Sequence, residues 1–83
     1  MTTNNTKVYA VSWYDTWYEW RNQLSYFKSL DNAKKYFDEK IKELEWWEYE
    51  LKPVENLSAN ELYDYYDDEY ETWVRLYQVI FED

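Results

Sequence analysis

The sequence predicts a small α+β domain in which an antiparallel sheet packs against one main helix. Three observations predict this class. The chain has only 83 residues, which is the length of one domain. Strand-type sequence lies near both ends, at 7–14 and 72–81, and a helical stripe of apolar residues lies between them. The predicted order is β-β-α-(β)-α-β, with residues 1–6 as a flexible polar tail and residues 7–83 as the single domain.

The strands are predicted from composition. Lys7–Tyr14 is rich in β-branched and aromatic residues, and Tyr18–Phe27 is expected to pair with it in antiparallel fashion. Because the chain has no glycine, a two-residue hairpin turn is disfavoured and a longer loop is expected between the two strands. The more apolar face of the second strand carries Trp20, Leu24 and Tyr26. Thr72–Phe81 is apolar on both faces, which predicts a central strand.

The main helix is predicted to begin at Leu30, with Ser29 as its N-cap. Its apolar stripe consists of Leu30, Ala33, Phe37, Ile41 and Leu44. Residues 46–54 fit two periods, because they alternate as a strand does and also extend the helical stripe. Pro53 disfavours helix at the residue before it. We interpret the segment as a short edge strand that follows a helix ending near Trp46.

A second, acidic helix is predicted from Ala59 to about Glu69. The sequence Ser58-Ala59-Asn60-Glu61 matches a capping box, in which a serine is followed three residues later by glutamate.

Several function classes are disfavoured by composition. The chain contains no cysteine and no histidine, so disulfides, ordinary zinc sites and the commonest nucleophiles and general bases are absent. Without glycine there is no phosphate-cradling loop. We therefore expect a protein that is not an enzyme, with no catalytic residues, cofactor or metal. No basic and apolar leader and no bilayer-length apolar stretch is present, so a cytoplasmic location is expected.

The net charge of −9 is unevenly distributed. Residues 1–42 hold seven basic and five acidic side chains, whereas residues 43–83 hold two basic and thirteen acidic ones. A surface of one sign steers partners of the opposite sign. We expect the partner to be a basic protein surface rather than nucleic acid, whose phosphates would be repelled, or a membrane.

The main candidate site is the acidic and tyrosine-rich run from Glu61 to Glu71. Its predicted contact residues are Glu61, Asp64, Tyr65, Tyr66, Asp67, Asp68, Glu69, Tyr70 and Glu71. As a helix the run would span about 16 Å, and Asp64, Asp68 and Glu71 would line one side. Its charge density would lie within about a factor of two of that of duplex DNA. Two rival interpretations are a solvated acidic face and a metal site, the latter disfavoured because calcium-loop spacing is absent.

A second acidic run surrounds two adjacent tryptophans. The secondary contact candidates are Glu45, Trp46, Glu48 and Glu50. Adjacent tryptophans cannot both face one core, so one of the pair is expected to be partly exposed. The rival interpretation is that these residues only pack at the edge of the sheet.

In overall character the chain resembles the small acidic proteins with which phages block host defence enzymes, including anti-CRISPR and anti-restriction proteins, several of which mimic DNA. The resemblance is carried by the Glu61–Glu71 run, the short length and the glycine-free usage rich in Lys, Asn and Tyr. It implies an inhibitor that occupies the nucleic-acid groove of such an enzyme, most of all a CRISPR effector. The alternative hypothesis is a protein–protein interaction or assembly module, with a homodimer as one form, that uses exposed aromatics.

Overall fold

The computed structural model describes residues 5–15 and 21–82. The elements are β1 (Asn5–Asp15), β2 (Arg21–Phe27), α1 (Leu30–Trp46), β3 (Lys52–Pro53), β4 (Glu61–Asp67) and β5 (Thr72–Glu82). All five strands form one sheet in the order β2-β1-β5-β4-β3, and each neighbouring pair is antiparallel. The α+β class and the antiparallel sheet predicted from sequence are confirmed.

The described part of β1 is flanked on both sides by residues that the structure does not describe. β1 begins at Asn5, so it includes the last two residues of the predicted tail; Asn5 and Thr6 pair with Glu82 and Phe81. Asp15, the first residue of the connection predicted at 15–17, belongs to β1 instead. The rest of that connection and the first three residues of the predicted second strand, 18–20, lie outside the described residues, as do residues 1–4 and 83.

The helix follows the sequence prediction closely. Ser29 is its N-cap, with extended backbone (φ −108°, ψ 131°), and its side-chain oxygen accepts a hydrogen bond from the backbone N–H of Asn32 at 3.4 Å. The helix ends at Trp46, and three residues of its predicted stripe, Ala33, Phe37 and Leu44, are buried. No helix among residues 5–15 and 21–82 combines the length and the apolarity that spanning a bilayer requires.

The core lies between α1 and one face of the sheet. It consists of Val11, Trp13, Ala33, Phe37, Leu44, Tyr49, Leu51, Val74 and Leu76. Phe37 is central, with ring centroids 5.8 Å from Tyr63 and 5.7 Å from Tyr65. Because β5 has β1 on one side and β4 on the other, the central position predicted for Thr72–Phe81 is confirmed.

The predicted second helix is wrong: its region forms a turn followed by strand β4. The Ser58–Glu61 pattern does close locally, because the Glu61 backbone N–H donates to the Ser58 carbonyl at 3.1 Å, but the turn leads into a strand. Tyr63 and Tyr65 pair with Leu76 and Val74, residues of the central strand. Pairing with β5 satisfies backbone groups of both strands and lets Tyr65 pack on Phe37, whereas an isolated acidic helix would suffer like-charge repulsion at i,i+4.

One face of the sheet carries no helix among the described residues. The more apolar side of β2 points that way, so Leu24 and Tyr26 are 47% and 60% exposed. The opposite side of β2 contributes Phe27, whose ring lies 5.3 Å from Tyr36 of α1. The single described helix therefore leaves a tyrosine-containing sheet face open to solvent.

Candidate functional site

The candidate site lies at the end of the molecule where α1 ends and the β4–β5 turn is formed. The residue that organises it is Asp67, which is only 2% exposed. Its Oδ1 accepts hydrogen bonds from the backbone N–H groups of Glu69 (2.9 Å) and Tyr70 (3.2 Å), and its Oδ2 accepts one from the N–H of Glu50 (2.7 Å). An aspartate that begins a turn in this way is a common local motif. Here the same carboxylate also binds a segment seventeen residues earlier in the chain.

Tyr49 fixes the other side of this junction. Its hydroxyl donates to Asp15 Oδ1 at 2.6 Å, and its ring meets that of Tyr70 edge-on at 5.3 Å. Burial, reinforced by the Asp15 carboxylate, raises the pKa of Tyr49 far above its ordinary value. The phenol therefore stays protonated and keeps donating. The segment after α1 is thus held to β1, to the β4–β5 turn and to the core at once.

We call the resulting surface the acidic tip. It consists of six exposed carboxylates, Glu45, Glu48, Glu50, Asp68, Glu69 and Glu71. No ion pair found among the described residues involves any of the six. Glu43, by contrast, is paired with Lys40 at 2.9 Å. The described residues contain no cluster of three or more acidic groups arranged to hold a metal ion.

Two glutamates of the acidic tip have left-handed backbone conformations. Glu48 has φ 71° and Glu71 has φ 51°, and they are the only described non-glycine residues with positive φ. This region costs an ordinary residue about 1–2 kcal/mol, and the chain has no glycine to place there. The surrounding hydrogen bonds therefore hold both tight turns against an intrinsic preference, which is a pattern found at functional sites.

Aromatic surface adjoins the acidic tip. Trp46 and Trp47 are 75% and 52% exposed, with their rings edge-on at 4.9 Å. A cavity of about 270 Å³ lies beside Trp47, lined in part by Trp13 and Lys40 as well. The sequence predicts that one of the two tryptophans is partly exposed; in the structure both are exposed.

The residues of the predicted Glu61–Glu71 surface differ in burial and do not share one surface. Asp68, Glu69 and Glu71 are exposed and belong to the acidic tip. Asp64 and Asp67 are buried, so they are internal hydrogen-bonding groups rather than contact residues. Tyr65 and Tyr70 are half-buried against the core, while Tyr66 is exposed on the side of the sheet away from α1. The predicted ladder of Asp64, Asp68 and Glu71 is therefore not formed.

Asp64 belongs to a separate polar group on the open side of the sheet. Its Oδ2 accepts from Arg75 Nε at 3.1 Å, and the Arg75 guanidinium lies 4.3 Å from the centre of the Trp73 ring. Burial, followed by the neighbouring Glu61 carboxyl, raises the pKa of Asp64 to about 6. A hydrogen bond with Ser58 lowers the pKa of Glu61. The two carboxyls are neighbours, and Asp64 is the one of the pair that takes up a proton first as the pH falls.

Sequence reasoning named Asp67 as a contact residue but missed its role as the hydrogen-bonding centre of the site, and it did not name Tyr49 or Asp15 as candidates. The Asp67-Asp68-Glu69-Tyr70 sequence carried a turn signal, because aspartate commonly bonds the backbone two or three residues ahead. Nothing in the sequence linked Tyr49 to Asp15, which lie 34 residues apart. Of the secondary candidates, Glu50 is bonded through its backbone to Asp67 of the main run, and the exposed residues Glu45, Trp46 and Glu48 precede it at the end of α1.

Comparison of the chain with protein-family models, with curated proteins and with solved structures finds no match.

Proposed function

We propose that this chain is a stoichiometric inhibitor that binds a basic, nucleic-acid-binding groove of a host defence enzyme, with CRISPR effectors as the leading class of target. The acidic tip would occupy positions that phosphates take in the enzyme's substrate. One observation carries the proposal: the Asp67 carboxylate accepts a hydrogen bond from the backbone of Glu50, so that the exposed acidic segment after α1 and the exposed acidic β4–β5 turn lie at the same end of the molecule.

Rigid placement of charge favours such binding. A basic groove must give up water and counterions to accept a partner, and acidic side chains carried on a backbone that is already ordered bind without the entropic cost of ordering a loop. The hydrogen bonds of Asp67 and Tyr49 hold the two segments in place before any partner arrives. The field of several unpaired carboxylates also accelerates encounter with a basic surface.

The tryptophans beside the acidic tip supply contact area. Tryptophan is enriched among the residues that dominate binding energy, and Trp46 and Trp47 together offer a ridge of apolar surface next to the charges. A phosphate mimic needs such contacts, because exposed ion pairs alone contribute little net affinity.

The test uses charge reversal confined to the acidic tip. Asp68→Lys/Glu69→Lys reverses two exposed charges without touching Asp67. Glu39→Lys/Glu55→Lys reverses two exposed charges elsewhere and is the matched control. Each protein is added at one equivalent to a panel of purified CRISPR effectors and restriction enzymes, and cleavage of labelled DNA is measured at low and high salt.

The expected result is that the unaltered chain and the control inhibit at least one enzyme. The Asp68→Lys/Glu69→Lys variant should lose about tenfold or more in inhibition. Inhibition should weaken as salt rises and as unlabelled DNA is added, because both compete for the same charges. If the tip variant inhibits as well as the control does, the proposal is wrong.

A second candidate function is a protein–protein interaction module that binds through exposed aromatics. The exposure of both Trp46 and Trp47 favours it. The dependence of binding on salt concentration distinguishes the two candidate functions, because an aromatic contact is nearly insensitive to ionic strength. Under this candidate, Trp46→Ala/Trp47→Ala would abolish partner binding while Asp68→Lys/Glu69→Lys would leave it intact.

A further inference from the structure

The cavity beside Trp47 is built at the C-terminal end of α1. Its lining includes Glu43 and Leu44 of the last helical turn, the C-cap residue Trp47, and Trp13 of β1. Its volume of about 270 Å³ lies just below the roughly 300–1,000 Å³ of pockets that hold drug-sized ligands. The cavity is therefore of a size to take one side chain.

The wall of this cavity already holds a cation. The Lys40 ammonium lies 4.4 Å from the centre of the Trp13 ring and 2.9 Å from Glu43 Oε2. An aromatic face attracts organic cations, and a carboxylate beside it adds to that attraction. The Lys40 side chain is only 13% exposed, so its ammonium belongs to the wall and does not fill the opening.

Glu43 can bind a second cation. Its side chain is 58% exposed, and Lys40 engages Oε2 alone, since no described residue donates a hydrogen bond to Oε1. The half-exposed indole of Trp47 lines the same cavity. Asp15, which is also in the lining, is buried and accepts a hydrogen bond from the Tyr49 hydroxyl. The exposed carboxylate and the exposed aromatic surface therefore occur together.

The end of the helix favours a cation at the same place. The C-terminus of a helix carries a partial negative charge, which basic residues in the last turn commonly offset. The last turn of α1 contains no basic residue, and it contains Glu43 and Glu45 instead. Glu48 directly follows the C-cap. A cation supplied by another molecule would offset this accumulated negative charge.

The geometry points to this cavity as the binding site for an arginine side chain of the partner protein. The guanidinium stacks on Trp47 and donates hydrogen bonds to Glu43. This inference rests on the proposed function, because it names the side chain that a basic nucleic-acid-binding groove presents next to the acidic tip. Arginine suits the cavity better than lysine, since a planar guanidinium both stacks on aromatic rings and binds a carboxylate through two N–H groups.

Nuclear magnetic resonance of the isotope-labelled chain tests the cavity without any enzyme. Capped Gly-Arg-Gly, Gly-Lys-Gly and Gly-citrulline-Gly peptides are added at constant ionic strength, and the indole N–H signals of Trp13 and Trp47 are followed. The peptides are titrated to about 50 mM, because contact with a single side chain corresponds to millimolar affinity. Citrulline has nearly the shape of arginine and carries no charge. The arginine peptide should give saturable shifts, the lysine peptide should bind about fivefold more weakly, and the citrulline peptide should give none.

Two charge variants test the electrostatics, each with a matched control. Glu43→Gln should weaken binding of the arginine peptide about tenfold, whereas Glu39→Gln, at an exposed position one turn earlier, should leave it unchanged. Lys40→Met removes the cation of the wall and should strengthen binding about threefold. Lys42→Met, which changes an exposed lysine, should have no effect.

A third pair of variants tests the stacking surface. Trp47→Leu should weaken binding of the arginine peptide about tenfold, because it removes the indole that lines the cavity. Trp46→Leu should leave binding unchanged, since Trp46 is the more exposed of the two and is not among the described residues of the lining. The backbone amide spectrum establishes that each variant is folded.

The inference is overturned if the arginine peptide gives no saturable shift or if the lysine or citrulline peptide binds as tightly. It is also overturned if Lys40→Met weakens binding, since an anionic or neutral ligand would then be the better occupant. The test is separate from the inhibition assay. Inhibition of an enzyme without peptide binding refutes this inference alone, whereas peptide binding without any inhibited enzyme supports the arginine site and refutes the proposed function.

Discussion

The carboxylate of Asp67 accepts a hydrogen bond from the backbone N–H of Glu50 at 2.7 Å, and this bond joins the β4–β5 turn to the segment that follows the helix. The same side chain holds the turn itself through Glu69 and Tyr70. One buried carboxylate therefore determines where two acidic segments lie relative to each other.

Asp67→Ala should lower the free energy of unfolding by about 2–4 kcal/mol. The substitution removes three hydrogen bonds to a carboxylate and leaves three partly buried N–H groups without that partner. Urea denaturation measures the change. Asp68→Ala is the matched control, because Asp68 is exposed and should change stability by less than about 0.5 kcal/mol. Equal effects of the two substitutions would contradict the central role of Asp67.

Glu48→Gly and Glu71→Gly should each stabilise the fold by about 0.5–1 kcal/mol. Glycine relieves the left-handed strain at φ 71° and φ 51°, a gain partly offset by the greater freedom it gives the unfolded chain. Glu50→Gly is the control. Because Glu50 does not have a positive φ, this substitution should leave the free energy of unfolding unchanged or lower it. Thermal unfolding of the three variants provides the comparison. Destabilisation by both glycines would show that the two turns are unstrained.

Stability should fall as the pH rises through about 6 because of Asp64. Its folded-state pKa is about 6, above the ordinary aspartate value of 3.8, so the folded protein holds this proton more tightly than the unfolded chain does. The resulting stabilisation is complete below the unfolded pKa and is lost as the carboxyl ionises in the folded state. Asp64→Asn should flatten this part of the profile, because the amide does not titrate. Urea midpoints from about pH 4 to about pH 7 measure both proteins. If stability falls with pH as steeply in Asp64→Asn as in the unaltered chain, groups other than Asp64 cause the fall.

Much of the fold followed from local sequence. The Ser29 cap and the Ala33–Phe37–Leu44 stripe specified α1 because capping and helical periodicity depend on neighbours three and four residues away. β5 was recognisable as a central strand because it is apolar on both faces. That prediction required a neighbour on each side of β5, and the sequence did not identify either of them; the structure shows them to be β1 and β4.

The candidate site was predicted in part. The exposed acidic residues of both runs are local features of composition, so sequence reasoning identified the charge correctly. It failed on Asp64 and Asp67, because burial depends on which strands and turns cover a side chain and not on the chemistry of that side chain. The Glu61–Glu71 run carried both a capping-box pattern and strand-forming tyrosines, and local preferences alone did not separate them.

By itself, the sequence determined the size of the domain, its acidic second half, the main helix and the strands at either end, because each depends on composition or on short-range periodicity. Only the tertiary structure decided that the Glu61–Glu71 run becomes a strand and a turn, and that two distant acidic segments meet. The physical reason is that pairing with β5 and burial of Asp67 are long-range interactions. Their free energy exceeds the weak local preference for helix, and it exists only once the sheet has formed.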